Sequence, residues 1–258
     1  MRFTICRIVG NELPPRDTPG SKLDCLRWLI DNDKVPGVHY TYVINHVVDP
    51  EYRDKVLDVL KGQDTVEIPF DHTIYWQIPD VGSRIRYTIN INAARNFGIR
   101  YCQSFSDFVA CLDQECYFQP HETASIIKKI TNDQAEMKFR QHYGVVSKRF
   151  HIGEIPEDFS KYPDAEPMVI VRQDATRLFD EQLQFGDGDK LELLSYMGYA
   201  VWTDKVKLRG ERARTVGTCL HVSFGDREAE HSMKYRGAQR ALSLQQLITT
   251  VDELYPKD

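Results

Sequence analysis

The sequence predicts an α/β fold built on a doubly wound, mainly parallel sheet. Short runs of β-branched and apolar residues alternate with helical patterns through about residue 115, as successive βαβ units require. Of the 258 residues, 41% are hydrophobic and 28% are charged, which is ordinary for a soluble globular protein. That composition excludes disordered, collagen-like and membrane-embedded chains. Ligands of such sheets collect at the carboxyl ends of the strands.

The elements of the first half follow from local patterns. A β-branched run predicts the first strand over 5–9, and a Gly- and Pro-rich stretch predicts a loop over 10–20. Ser21 is expected to cap a helix whose apolar residues recur at helical spacing. The remaining elements are strands over 38–48, 65–70 and 108–112, helices over 51–60 and 92–101, and an irregular stretch over 72–90.

The second half is less regular, although the same rules apply. Apolar runs there predict short strands, and a helical pattern closes the chain. The predicted strands cover 145–150, 168–171, 200–202 and 218–224, and the predicted helices cover 190–199 and 239–255.

Net charge is unevenly distributed along the chain. The formal charge of −5 does not indicate a general nucleic-acid binder. Residues 205–240 nevertheless contain nine basic and four acidic residues. This basic region either binds phosphate groups or forms an ordinary solvated surface.

Cysteine usage and the N-terminus predict the compartment. The six cysteines form no C-x-x-C pair and match no common zinc module. The N-terminal apolar run is too short for a signal peptide, and no apolar stretch approaches the ~18 residues of a transmembrane helix. We therefore expect a cytoplasmic protein with reduced thiols and no membrane-spanning segment.

The strongest chemical signal is Asp113-Gln114-Glu115, directly after the predicted strand 108–112. Two carboxylates separated by one residue at a strand end are able to share a divalent cation and its phosphate ligands. Hard oxygen ligands suit Mg²⁺ or Mn²⁺. The alternative is a solvated acidic turn.

Further candidates lie on both sides of this motif. Arg95, on the helix 92–101, is placed to reach a diphosphate or the acidic pair, or else is a surface arginine. His221 lies in an apolar strand, where a core histidine is the alternative to a ligand. A later acidic segment either binds a ligand or complements a helix dipole, and it contains Asp180, Glu181, Asp187 and Asp189.

These segments, in this order, resemble the GT-A-fold glycosyltransferases, most closely their inverting family-2 type. The matching segments are Ala94-Arg95-Asn96-Phe97-Gly98, Asp113-Gln114-Glu115, Phe179-Asp180-Glu181, Asp187-Gly188-Asp189 and Gly198-Tyr199. The resemblance implies a GT-A, Rossmann-like three-layer fold with a mixed, mostly parallel central sheet. It also implies a single domain, with a nucleotide-sugar-binding half over 1–117 and an acceptor-binding half over 118–258 that carries the basic region.

The resemblance implies metal-dependent transfer of a sugar from a nucleoside diphosphate sugar, with a UDP-sugar favoured, to an acceptor hydroxyl with inversion. Asp187 would be the catalytic base. The implied site residues are Asp113, Glu115 and His221 for Mn²⁺ or Mg²⁺; Arg7, Asn11, Asp71, Arg95 and Asp113 for the donor; and Asp180, Glu181 and Asp189 for the acceptor.

Two departures from the family pattern bear on the site. Gly186 stands where the family usually has a Glu, so the base rests on Asp187 alone. The metal motif ends in Glu115, where the family has an aspartate. Its second carboxylate is therefore one methylene group farther from the backbone.

Three questions stay open at this level. The acceptor is a glycan or a hydroxymethylated base in DNA, which the basic region would guide. A nucleotidyltransferase is the nearest enzymatic alternative, although no Gly-rich phosphate loop is present. A non-catalytic nucleotide-sugar-binding module is the remaining alternative.

Overall fold

The structure is a computed structural model. It describes residues 1–133, 140–152, 165–183, 185, 188–200, 207–208, 213–225 and 233–257. The predicted catalytic base, Asp187, lies outside the described residues, as do many of the basic residues of 205–240.

Ten strands are described. They are β1 (Phe3–Val9), β2 (Val38–Asn45), β3 (Asp64–Ile68), β4 (Phe108–Asp113), β5 (Cys116–Tyr117), β6 (His142–His151), β7 (Ala165–Arg172), β8 (Tyr199–Ala200), β9 (Lys207–Leu208) and β10 (Ala213–Ser223). The described helices are α1 (Ser21–Asn32), α2 (Pro50–Val59), α3 (His72–Gln77), α4 (Val81–Ile89), α5 (Ile91–Gln103), α6 (Pro120–Asn132), α7 (Leu191–Tyr196) and α8 (Met233–Leu254).

One eight-stranded sheet organises the described residues, in the order β3-β2-β1-β4-β7-β6-β10-β5. The block from β3 to β4 is parallel, as the alternating pattern predicts. Beyond it β7 runs antiparallel to both β4 and β6, β10 is parallel to β6, and β5 is antiparallel to β10. The predicted α/β class, with a mixed and mostly parallel sheet, is confirmed.

Helices cover both faces of this sheet because its strands alternate apolar side chains between two faces. On β1, Ile5 packs with α6, whereas Ile8 packs with α5 and α7 on the opposite face. Helices α1 and α2 lie on the same face as α6, over β1 and β2. Helix α8 packs at the sheet edge, where Leu247 and Val251 contact Leu13.

Helix α5 approaches the sheet unusually closely at Gly98. A Cβ atom there would lie 2.6 Å from Sγ of Cys6 and 2.9 Å from Cγ2 of Val43. Only glycine leaves room for this approach. Since Arg95 lies one turn earlier on the same helix, the contact also determines where that side chain meets the sheet edge.

Several local predictions differ from the structure. The stretch predicted as irregular forms α3 and α4, whose first turns are capped by Asp71 and Asp80. Ser21 does not cap α1, because Gly20 occupies the N-cap position with φ 85°. The carboxylate of Glu12 accepts the Gly20 and Lys22 amide hydrogens instead.

None of the six cysteines, all of them described, forms a disulfide, and all are buried, as expected of small core side chains. No described helix combines the length and apolarity needed to cross a bilayer.

Candidate functional site

A cleft with an empty volume of about 960 Å³ opens at the carboxyl ends of β1, β2 and β4. It lies at a switch point of the sheet, because β2 and β3 follow on one side of β1 while β4 lies on the other. Open α/β sheets bind ligands at such points. The far wall comes from β6, β7 and β10, through Arg149, Glu166 and His221.

Helix α5 directs three buried polar side chains toward this edge. Asn92, Arg95 and Asn96 are spaced as i, i+3 and i+4, so they share one side of the helix. The Asn92 amide donates to the backbone carbonyls of Asp180 (2.7 Å) and Asp189 (2.6 Å). Helix α5 therefore holds the acidic segment against the sheet through Asn92, which lies just before the motif Ala94-Arg95-Asn96-Phe97-Gly98.

Arg95 is the centre of a four-residue charge network. Its guanidinium donates to Oδ1 of Asp113 at 2.8 Å and also binds the carboxylate of Asp189. The second oxygen of Asp113, Oδ2, accepts from the ammonium of Lys190 at 2.7 Å. Two cations balance two carboxylates, and both oxygens of Asp113 are engaged.

The network keeps its members charged. Burial raises the pKa of the Asp113 carboxyl, but Lys190 and Arg95 outweigh that effect and hold the pKa below its usual range. The pKa of Asp189 is lowered by the same balance of burial against the two cations. Burial lowers the pKa of Lys190, yet the combined attraction of Asp113, Glu166 and Asp189 outweighs it and the net shift is upward. Fixed charges of this kind stabilise charge on a ligand without reorganisation.

Glu115 and His221 form a second pair in the cleft. Strand β5 begins just after Glu115 and pairs with β10 so that Cys116 stands opposite His221. This register places Oε1 of Glu115 at 3.4 Å from Nε2 of His221. The structure thus brings together two of the three predicted metal ligands.

Nearby cations affect both members of this pair. Burial raises the pKa of Glu115, but His221, Lys22 and Arg16 lower it well below its ordinary value. Burial lowers the pKa of His221, and the positive charge of Arg149 lowers it further. At neutral pH, Glu115 is therefore a carboxylate and His221 is a neutral imidazole.

A divalent cation does not fit the donor set that the structure describes. Within the described ranges there is no group of three or more His, Cys, Asp and Glu side chains placed to hold a metal ion. Asp113 has each oxygen bound to a cation, which leaves Glu115 and His221 as a pair. Mg²⁺ and Ca²⁺ sites require carboxylate oxygens that are free to coordinate.

Asn11 lines the cleft, while its amide joins two loops. Nδ2 donates to the carbonyl of His46 at 2.8 Å, and Oδ1 accepts from the N–H of Val48 at 2.9 Å. These bonds hold the loop after β1 against the loop after β2. A donor contact by Asn11 stays a prediction.

Glu181 lines a neighbouring groove of about 760 Å³ that α4 and α5 border, and Asp180 precedes it in the chain. The Asn96 amide donates to Oε1 of Glu181 at 2.8 Å, which orients that exposed carboxylate. Oδ1 of Asp180 accepts from the N–H of Gln182 at 2.9 Å. Their predicted acceptor contacts stay predictions, and Asp189 differs from them by pairing inside the main cleft.

Arg7 is placed away from the cleft, which corrects the predicted donor set. Strand alternation turns its side chain to the face covered by α1, together with Phe3 and Ile5. The guanidinium is 1% exposed, pairs with Asp33 and donates to the carbonyl of Cys116 at 2.9 Å. Its charge is already compensated in the interior, so we leave Arg7 out of the proposed donor site.

Asp71 is also not among the residues that line the cleft. It is exposed, and its Oδ1 accepts the N–H groups of Thr73 (2.8 Å) and Ile74 (3.3 Å) at the start of α3. In this position it acts as a helix cap. The predicted nucleotide contact by Asp71 has no counterpart in the described cleft.

The sequence does not single out four cations that line the cleft, namely Arg16, Lys22, Arg149 and Lys190. Only Lys190 carries a local signal, since it directly follows Asp189. The others belong to three separate elements, and only the closing of the sheet places them on one cavity.

No protein-family model matches the sequence, and no curated protein matches it. Among solved structures, the chain is similar to residues 1–349 of S. aureus TarS, with a TM-score of 0.48 and 11% identity over 98% of this chain and 73% of that one. It is also similar to a Desulfovibrio desulfuricans G20 protein named as a nucleotide-diphospho-sugar transferase (TM-score 0.42, 11% identity, 100% and 99% covered).

A third similar structure is the 4-diphosphocytidyl-2C-methyl-D-erythritol synthase of Anaerococcus prevotii (TM-score 0.41, 10% identity, 93% and 97% covered). These likenesses concern overall form at low identity. The function is therefore argued from the cleft itself.

Proposed function

We propose that the chain is a glycosyltransferase that moves a sugar from a nucleoside diphosphate sugar to an acceptor hydroxyl. The observation that carries the proposal is the cleft at the switch point of the sheet, where Arg95 and Lys190 bind both oxygens of Asp113. This arrangement combines a cleft at the strand ends with fixed charges, which suits the binding and cleavage of a diphosphate ester.

The lining of the cleft suits the two ends of such a donor. Apolar side chains of Ile8, Ile89 and Ile91 lie near the β1 and β2 ends, together with the amide of Asn45. This part would accept the nucleoside, with uridine favoured. The cations lie on the loop after β1, on α1 and on β6, and they would face the diphosphate.

Transfer with inversion requires a base opposite the leaving diphosphate. We assign this role to Asp187, which would take the proton of the acceptor hydroxyl as its oxygen attacks the anomeric carbon. Its neighbours Gly188 and Asp189 are described, and Asp189 is tied to Arg95 at the wall of the cleft. This anchor, two positions along the chain from Asp187, is what supports the assignment.

Two acceptor classes fit the proposal. Glu181 lines a groove that a glycan would occupy by hydrogen bonding to Glu181 and to the adjacent Asp180. A hydroxymethylated base in DNA would instead be guided by basic residues of 205–240, of which Arg240 lines the cleft. Acceptor binding that falls steeply with salt would favour DNA, since phosphate contacts release counterions.

A hydrolysis panel tests the proposed function. The purified chain is incubated with UDP-, GDP- and dTDP-sugars, and release of the nucleoside diphosphate is measured. We expect slow release from one donor, with the Asp187→Asn variant losing transfer while its donor affinity stays within about twofold of wild type. Asp31→Asn, on the exposed side of α1, is the matched control.

Adding nucleoside triphosphates together with sugar phosphates to the panel separates the two alternatives. A nucleotidyltransferase would make a nucleoside diphosphate sugar from a nucleoside triphosphate and a sugar phosphate, with release of pyrophosphate. A binding module would retain a donor without turnover. Either result would replace the proposed function.

A further inference from the structure

The cleft keeps an excess of positive charge after its internal ion pairs are set aside. Arg95 and Lys190 are balanced by Asp113 and Asp189. The other charged residues that line its described part are four cations and two carboxylates: Arg16, Lys22, Arg149, Arg240, Glu115 and Glu166. Asp17 lies 3.3 Å from Lys22 and 3.9 Å from Arg16 and offsets part of this excess, and the charge that remains has the sign that a diphosphate requires.

Three of these cations surround the pair formed by Glu115 and His221. Arg16 and Lys22 both act electrostatically on Glu115, and Arg149 acts on His221. They come from the loop after β1, from the first turn of α1 and from β6, so they approach the pair from separate elements. An anion bound there would meet positive charge on several sides.

Local contacts hold two of the cations in place. The Lys22 ammonium donates to the carbonyl of Asn11 at 3.2 Å and lies 3.3 Å from Oδ2 of Asp17. The Arg16 guanidinium lies over the ring of Phe185, 5.1 Å from its centroid. Cations fixed in this way lose little side-chain freedom when an anion binds.

Arg149 is the most available of the three. It is exposed on β6, and no carboxylate within the described residues lies at ion-pair distance from it. The guanidinium of Arg149 is therefore a charged hydrogen-bond donor that lines the cleft and forms no ion pair with a described carboxylate.

The predicted metal ligands are arranged differently from this cation set. Asp113 already binds Arg95 and Lys190 through both oxygens, and Glu115 pairs with His221. Among the residues that the structure describes, no third His, Cys, Asp or Glu is placed to complete a metal site with them. The cations are already in place.

We propose that this cleft binds the diphosphate of its donor through Arg16, Lys22 and Arg149, with no requirement for a divalent cation. The inference rests on the proposed function. In transfer, the bond from the anomeric carbon to the diphosphate oxygen breaks, and its electron pair stays on that oxygen. The acceptor oxygen bonds to the carbon, and its proton passes to Asp187. The three cations then neutralise the departing diphosphate.

The test is calorimetric titration of the whole chain with UDP, GDP, ADP, CDP and dTDP. Each titration is run in EDTA and again with MnCl₂. We expect one nucleoside diphosphate to bind in EDTA with a dissociation constant within about twofold of that in Mn²⁺. The affinity should also fall with ionic strength, because exposed charges are screened.

Variants identify the groups responsible. Arg149→Gln and Lys22→Gln should each weaken binding in EDTA by roughly tenfold, the value of a hydrogen bond to a charged group. Arg100→Gln removes the same charge from an exposed position at the end of α5 and should leave binding unchanged. Thermal unfolding of each variant controls for loss of structure.

The possible outcomes are distinct. Binding that disappears in EDTA, returns with Mn²⁺ and is indifferent to Arg149→Gln would overturn the inference while leaving the proposed function intact. Absence of binding by all five nucleotides, with and without Mn²⁺, would overturn the proposed function and the inference with it.

Discussion

Two buried arginines of this protein have opposite surroundings. Arg7 and its partner Asp33 are 1% and 0% exposed, sealed between β1 and α1. Arg95 is 4% exposed, but its partners Asp113 and Asp189 are 24% and 13% exposed at the cleft. The first pair has no access to a ligand. The second presents partly solvated charges to one.

Position within the secondary structure explains the difference. Arg7 lies inside a strand, two residues before its end, on a face that a helix covers. Arg95 lies on a helix face that points at the strand ends, and Asp113 is the last residue of β4. Charged side chains on a covered face of the sheet contribute to folding stability, whereas those at its carboxyl edge are available to a ligand.

The largest expected effect comes from breaking the sealed pair. Arg7→Met leaves the carboxylate of Asp33 buried without its cation, which should lower the free energy of unfolding by about 3–5 kcal/mol. Urea unfolding measures this loss. The double variant Arg7→Met/Asp33→Asn should recover part of it, and an equally unstable double variant would contradict the ion-pair explanation. Nucleotide binding by the folded fraction of Arg7→Met should match wild type.

Breaking the open network should act on function more than on stability. In Lys190→Met, the carboxylate of Asp113 still binds Arg95 and is partly exposed to solvent. We therefore expect the free energy of unfolding to fall by only about 1–3 kcal/mol. Donor hydrolysis should fall by roughly 100-fold, since a fixed charge next to the diphosphate is lost. Equal losses of stability for Lys190→Met and Arg7→Met, with hydrolysis preserved in both, would remove the distinction between the two sites.

A change in the distance between α5 and the sheet tests how Arg95 is positioned. Gly98→Ala introduces a Cβ within 3 Å of Cys6 and Val43, which should cost about 1–3 kcal/mol and shift α5 outward. Gly237→Ala is the matched control, because that helical glycine faces open space and alanine should stabilise the helix by about 0.5–1 kcal/mol. Thermal unfolding compares them. A neutral Gly98→Ala would contradict the close approach.

The smallest expected effect is a pH dependence of the open network. The folded pKa values of Asp113 and Asp189 lie below their ordinary value of 3.8, so the unfolded chain takes up protons first as the pH falls. Their contribution is therefore complete above about pH 4 and is lost as the pH falls through the folded values.

In Lys190→Met, the pKa values of these carboxyls should be lowered less. The difference in free energy of unfolding between wild type and variant should therefore shrink by about 1 kcal/mol between roughly pH 6 and pH 3. Urea unfolding over that range measures the deficit. A deficit that is constant with pH would show that Lys190 does not stabilise the ionised carboxylate of Asp113.

Much of the fold follows from local sequence pattern. The β-branched runs of β1 to β4 and the amphipathic helices between them predict the parallel half, since alternation and helical spacing are local properties. Local patterns could not predict that β7 runs antiparallel or that β5 pairs with β10, because these features depend on partners distant in the chain. The helices α3 and α4 were also not predicted. Their aromatic and Pro-rich composition indicated an irregular stretch, although Asp71 and Asp80 are N-cap residues.

The candidate site divides in the same way. Sequence motifs in the correct order singled out Arg95, Asp113, Glu115 and His221, and the structure brings all four to one cleft. They could not show that Asp113 is already paired with Lys190, because that contact joins residues 77 positions apart. Nor could they show that Arg7, in the first predicted strand, pairs in the interior, whereas Arg95, on a predicted helix, lines the cleft.

The sequence by itself determined the α/β class, the parallel first half and the carboxylates at the end of β4, because each depends on residues close together in the chain. Tertiary structure alone decided which charges are sealed and which face the cleft. The reason is that the surroundings of a charge depend on which elements pack against it. Arg16, Lys22 and Arg149 lie on three elements, and only the assembled sheet makes them one site.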